Sequence, residues 1–149
     1  MKTIKVILCM VLTSCLSLLS GCQVGQSKEK AVQETVEGYL TALPTHDVQE
    51  IKKYVNEDWQ KNLSNEDYVT AFVDTVVSCE SIDVDVEQIK EIGDNVVEVP
   101  VKYVLTYSDN YIPVGTLEIG ENEMDYIFTL EQQEDGQYVI ANMRSVLEQ

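Results

Sequence analysis

The chain has 149 residues, of which 26 are Asp or Glu and 10 are Lys or Arg, giving a formal net charge of −16 at neutral pH. That length suits one domain with its own hydrophobic core. A field of that sign opposes phosphate backbones and anionic headgroups, which argues against nucleic acid as a partner and against docking to lipid through a basic patch.

Lys2 and Lys5 open the chain, Val6 to Leu19 follow without a charge, and Leu19-Ser20-Gly21-Cys22 ends the stretch on a cysteine. A membrane-spanning helix needs about 20 apolar residues, more than this stretch supplies. Cleavage by the ordinary signal peptidase would call for an Ala-x-Ala-like site, yet the first alanine is Ala31. The segment resembles the lipobox of bacterial lipoproteins, in which a diacylglyceryl group is attached to the cysteine thiol and the chain is cut just before it. The resemblance implies a signal peptide over residues 1–21, lipidation at Cys22, and an extracytoplasmic location with the bacterial cell membrane as partner through the anchor. Two acyl chains hold durably where one binds only marginally. Loss of the leader would remove two lysines and no acid, leaving the mature chain more acidic still. Cys9 and Cys15 would leave with it and Cys22 would be consumed, so that Cys79 could form no internal disulfide. We expect Cys79 to be a small buried apolar side chain at a helix-to-strand junction. Residues 22–28 read as a polar tether with an end-to-end distance of about 13 to 15 Å, which would hold a single domain, residues 29–149, close to the bilayer.

From Glu29 to Leu43, Val32, Val36, Tyr39, Leu40 and Leu43 share one helical stripe, with Gln33, Glu34 and Glu37 opposite. Pro44 should end this helix. Asp47 is placed to cap a second one, in which Val48, Ile51, Val55 and Trp59 share a face and a break falls near Asn56 to Asp58. Ser64 precedes Asp67 by three residues, a relative of the capping box, and Val69, Phe72, Val73, Val76 and Val77 form a third apolar stripe. After Cys79 the period becomes two, with Ile82, Val84 and Val86 alternating with acids, and Gly93-Asp94-Asn95 supplies a turn. The strand Val96–Tyr107 points Val97, Val99, Val101, Tyr103 and Leu105 one way. Pro100 inside it cannot donate to a ladder and predicts a bulge or an unpaired edge. Ser108 to Glu123 is irregular, with a short strand expected near Leu117 and Ile119. Met124–Gln133 and Tyr138–Met143 read as a hairpin closed by Asp135-Gly136.

Helices followed by one-sided antiparallel strands predict an α+β domain in which the helices cover a sheet of about four strands. This order, ending in a Glu-Asp-Gly hairpin and Tyr138-Val139-Ile140, resembles the cystatin-like cone of the nuclear transport factor two superfamily over about Glu29 to Met143. The resemblance implies a curved sheet and a pocket between helices and sheet, used by some members for isomerase or dehydratase chemistry.

Candidate chemistry is sparse. His46 is the sole histidine and lies in a loop, with no cysteines beside it for a zinc site and no nucleophile motif pointing to it, so we read it as a solvated residue. Asp83, Asp85 and Glu87, and likewise Glu121, Glu123 and Asp125, lack the glycine and distal glutamate of a calcium loop and read as the wet faces of strands. Tyr39, Phe72, Tyr103, Tyr107, Tyr126 and Phe128 are the candidate pocket lining, with no acid or base assignable among them. The expectation is a non-catalytic binding or accessory module at the membrane surface, with no metal or cofactor and an unidentified protein or small-molecule partner. The alternative is a carrier or enzyme that uses the pocket.

Overall fold

The computed structural model describes residues 27–146, so the expected signal peptide and the lipidation site at Cys22 lie outside the described residues. The first helix, α1 (Lys28–Ala42), begins where Ser27 Oγ accepts the Lys30 N–H, satisfying a donor that the first turn leaves open. It buries Val32, Val36, Tyr39 and Leu40, while Gln33 donates to Glu37 at 2.7 Å on the other flank. Pro44 does not stop the chain abruptly. It sits in a 3-10 turn, Leu43–Thr45, and the chain then reverses at His46, whose φ is 57°. Asp47 caps α2 (Val48–Ile51) by accepting from Gln49 and Glu50, a further 3-10 turn covers Lys52–Tyr54, and Asn56 caps α3 (Glu57–Asn62). The next cap is Asn65 rather than Ser64. Asn65 accepts from Asp67 and Tyr68, whereas the Ser64 hydroxyl turns back to the Gln60 carbonyl. The one-turn α4 (Glu66–Tyr68) runs into a π-helical turn, Val69–Val73, closed by the Asp74 N–H on the Val69 carbonyl.

Val76 and Val77 do not extend that helix. The β-branched run Thr75-Val76-Val77 suits a pleated edge better than a crowded turn, and it opens β1 (Val76–Val84). Cys79 therefore lies inside a strand rather than at its junction with a helix, and Val86 falls in a 3-10 turn, Val86–Gln88. The other strands are β2 (Lys90–Gly93), β3 (Val96–Tyr107), β4 (Gly120–Gln132) and β5 (Tyr138–Ser145), all antiparallel to their neighbours. The sheet runs β1-β3-β4-β5, with β2 also paired to β3. The fold is thus α+β with five strands in place of the expected four, the addition being β2, whose four residues are all exposed and carry no burial pattern. No strand forms at Leu117 and Ile119. A turn through Gly115, φ 65°, occupies that segment instead, and β4 starts at Gly120, ahead of the expected Met124.

Alternation along β3 buries Val97, Val99, Val101, Tyr103, Leu105 and Tyr107. Each inner position faces another across the ladder: Val97 opposite Leu130, Val99 opposite Phe128, Val101 opposite Tyr126, Tyr103 opposite Met124. Pro100 makes no bulge here, since its pairing with Ile127 is in register. Its carbonyl accepts the Asp85 N–H, so its nitrogen side faces the gap between Val84, the last residue of β1, and Lys90, the first of β2. A missing donor is harmless at a place where no strand offers an acceptor. The irregularities lie in the outer strands. In β1, Val77 and the Ser81–Ile82 step are extra residues against β3, with Ser81 at φ 53°, and in β5 Ala141 is the residue without a partner in β4. Bulges of this kind bend an edge strand and re-aim its side chains.

Candidate functional site

Helices α1 and α3, the π-helical turn and the inner face of the sheet border a half-open cavity of about 160 Å³, lined by aromatic, Leu, Val and Met side chains only. Tyr39 comes from α1, Phe72 from the π-helical turn, Tyr103 and Tyr107 from β3 and Tyr126 from β4. These are five of the six residues singled out in the sequence. The sixth, Phe128, is fully buried behind them and meets Tyr39 and Tyr103 edge to face, with ring centroids 6.4 and 6.2 Å apart. Tyr39 also packs edge-on to Trp59 at 6.3 Å. Such perpendicular contacts set each ring's quadrupole against its neighbour and fix the wall's geometry.

Electrostatically the wall is inert near neutral pH. Burial pushes the hydroxyl pKa values of Tyr39, Tyr103 and Tyr107 well above the usual phenol range. The Cys79 thiol, on the inner face opposite Leu105, is pushed up to about 12 by burial and secondarily by Glu80. The carboxylates point elsewhere. Glu37 is held by Gln33, Asp47 is an exposed cap, Asp74 is exposed, and Glu121 and Glu123 line the wet face of β4. Asp125 stands 3.7 Å from Lys102 on that same face. His46 is exposed but not a free loop residue. Its Nε2 lies 2.6 Å from the Val76 carbonyl, which can only accept, so Nε2 carries the proton and ties the α1–α2 connection to the start of β1. Among the described residues no group of His, Cys, Asp and Glu is placed to hold a metal ion.

Sequence reasoning did not assign Trp59, Tyr68, Leu117 and Met143 to this wall. Trp59 and Tyr68 were legible as apolar positions of short helices, but which way a one- or two-turn helix faces is decided by its caps, Asn56 and Asn65. Met143 faces inward because of the Ala141 bulge, which sets it opposite Phe128. Leu117 belongs to no strand. It is placed by Asn122, buried in β4, whose Oδ1 accepts the Glu118 N–H and whose Nδ2 donates to the Glu118 and Gly120 carbonyls at 2.8 and 2.9 Å. Buried asparagine at an inner strand position is the one sequence signal for that clamp.

Neither a protein-family model nor a curated protein sequence matches this chain.

Proposed function

We propose that this protein is a lipid-anchored extracytoplasmic domain that binds a partner or ligand at the membrane surface and performs no catalysis. The observation that carries the reading is the cavity wall, which presents aromatic and aliphatic side chains and no acid, base or thiolate. General acid–base catalysis contributes about 10² to 10⁴-fold only when a titratable group lies within hydrogen-bond reach of the substrate. The order of helices and strands supports kinship with the cystatin-like cone of the nuclear transport factor two superfamily, and Leu19-Ser20-Gly21-Cys22 supports the anchor.

The topology further supports an outward-facing role. The start of α1 is tied by the Lys28–Glu91 ion pair to β2, whose Glu91 lies opposite Val97. From β3 the cavity is lined by Tyr103, Leu105 and Tyr107, six to ten residues from Val97 and roughly 20 to 33 Å along the strand at about 3.3 Å per residue. A lipid anchor on Cys22 would therefore join the domain through the Lys28 end of α1, with the cavity lining farther along β3. Of the five large apolar side chains left exposed among the described residues, Val77, Ile112, Val114 and Ile119 belong to the segments at the Tyr107 end and Ile92 to β2. The test is fractionation of cells carrying the parent or the Cys22→Ser chain, followed by crosslinking in intact membranes. The parent should sediment with membranes and crosslink to a defined partner. A Cys22→Ser chain that still resists extraction at the mass of the processed parent would refute the anchor, and turnover of a small substrate would refute the absence of catalysis.

A further inference from the structure

We propose that the cavity is a binding site for a neutral, single-ring molecule carrying a hydrogen-bond acceptor, held by stacking and by tyrosine hydroxyls. This rests on the reading of the domain as a binding module and gives that module a ligand class. The size comes from the volume. About 160 Å³ is close to that of an engineered apolar cavity known to accept benzene. The rings of Tyr39, Trp59, Tyr103 and Tyr126 are rigid and tilted to one another, so a compact ring that stacks on one and meets the edge of the next fits the wall better than a folded chain.

The polar requirement comes from donors that nothing in the protein uses. Among the described residues, the hydroxyls of Tyr39, Tyr103 and Tyr107 make no hydrogen bond, although these side chains are only 6, 5 and 8 % exposed. The Tyr111 hydroxyl is sealed off, whereas these three are not. Three hydroxyls at one cavity, unused by any protein group among the described residues and not sealed off, are free to donate to an acceptor on the guest. Charge is excluded from two sides. No basic group lines the wall to receive an anion, and the net charge of −16 opposes its approach. A metal ion or other small, strongly hydrated cation would find no carboxylate there to replace its hydration shell.

Trp59, the sole tryptophan of the chain, lies in the wall and reports occupancy directly. The full-length protein in phosphatidylcholine vesicles is titrated with benzamide, its near-isosteric anion benzoate, and toluene, with tryptophan emission followed. Benzamide should give a saturable change, with benzoate at least tenfold weaker and toluene about 2- to 10-fold weaker, the worth of one hydrogen bond. In the Tyr39→Phe/Tyr103→Phe/Tyr107→Phe chain, shown folded by its melting curve, benzamide should fall to the affinity of toluene. Tyr103→Phe alone serves if the triple variant fails to fold, and should lose part of the benzamide preference. Equal binding of benzoate, an unchanged benzamide affinity in the phenylalanine variants, or no preference over toluene would overturn the proposal, as would the absence of saturation with every probe. Membrane fractionation and crosslinking read the module's anchoring separately, so that reading survives or fails on its own result.

Discussion

Gly38 offers a sharp test of how α1 is packed. Alanine gains about 1 kcal/mol over glycine inside a helix, so Gly38→Ala would stabilise α1 if only local preference mattered. A Cβ at this position, however, would run into Tyr54 Cε1 and stand 2.7 Å from Cζ and 2.9 Å from Oη. The ring cannot step aside freely, because it is half-buried and its hydroxyl donates to Glu50 Oε1 at 3.2 Å. Forcing a methyl into an occupied place costs about 1–3 kcal/mol, and displacing the ring also weakens the bond to Glu50. The net expectation is a loss of about 1–2 kcal/mol, read as a fall of about 1 M in the urea midpoint. In a Tyr54→Ala background the obstacle is gone and the same substitution should gain about 1 kcal/mol. This change of sign is a coupling energy that a double-mutant cycle measures. Stabilisation in the parent would show that Tyr54 does not require the glycine, and equal destabilisation in both backgrounds would place the clash elsewhere.

Three further outcomes follow from burial. Tyr111→Phe should raise stability by about 1 kcal/mol, or about 4 °C in Tm, because its hydroxyl is sealed without a partner among the described residues while its ring stays stacked on Tyr107 at 3.9 Å; a lower Tm would mean that the hydroxyl is in fact satisfied. Alkali should unfold the domain in one step. The hydroxyls of Tyr39, Tyr103 and Tyr107 titrate higher when folded, so the folded state keeps protons that the unfolded chain surrenders near pH 10. Their contribution is complete below that pH and is lost above it, and tyrosinate absorbance should rise together with loss of structure; ionisation of all eight tyrosines near pH 10 in a still-folded protein would contradict this. Val99→Asp, which puts a charge at a fully buried site opposite Phe128, should cost several kcal/mol and leave little folded protein, whereas Asp85→Asn keeps an acceptor for Gln88 and should be nearly neutral; similar melting temperatures for the two would show the strand register to be wrong.

What the sequence revealed, and what it hid, follows from how far each signal reaches. Helix α1 and the inner face of β3 and β4 were legible because long periodic runs over-determine their orientation: a one-residue slip of β3 would send Val97 through Tyr107 to solvent together. The short elements carried no such redundancy. Asn65 replaced Ser64 as a cap because both residues satisfy the same local rule, and the choice depends on where the Ser64 hydroxyl finds the Gln60 carbonyl. Val76 and Val77 fit a helical stripe as well as a strand, and only pairing with Tyr107 and its neighbours on β3 decides between them. Strand β2 is held by its pairing with β3 and by the Lys28–Glu91 ion pair, both contacts with distant parts of the chain. Most of the aromatic wall could be named from sequence, since its members sit on periodic segments, but the closing side chains Met143 and Leu117 depend on a bulge and an asparagine clamp.

The Ala141 bulge also explains why the wall lacks charge. Between Leu130, opposite Ile140, and Thr129, opposite Asn142, β5 contains one residue more than β4. Continued without that residue, the ladder would set Asn142 against Phe128 and Arg144 against Tyr126, bringing an amide and a guanidinium to the inner face. With it, Met143 takes the place opposite Phe128, and Arg144 lies on the outer face, 3.3 Å from Glu98. The same alternation that keeps Glu98, Lys102, Glu121 and Glu123 off the inner face would have failed at the end of β5, where the sequence Ile140-Ala141-Asn142-Met143-Arg144 places apolar residues three apart, out of step with a period of two. One inserted residue restores the phase, and the apolar character of the cavity is therefore a property of strand register as much as of composition.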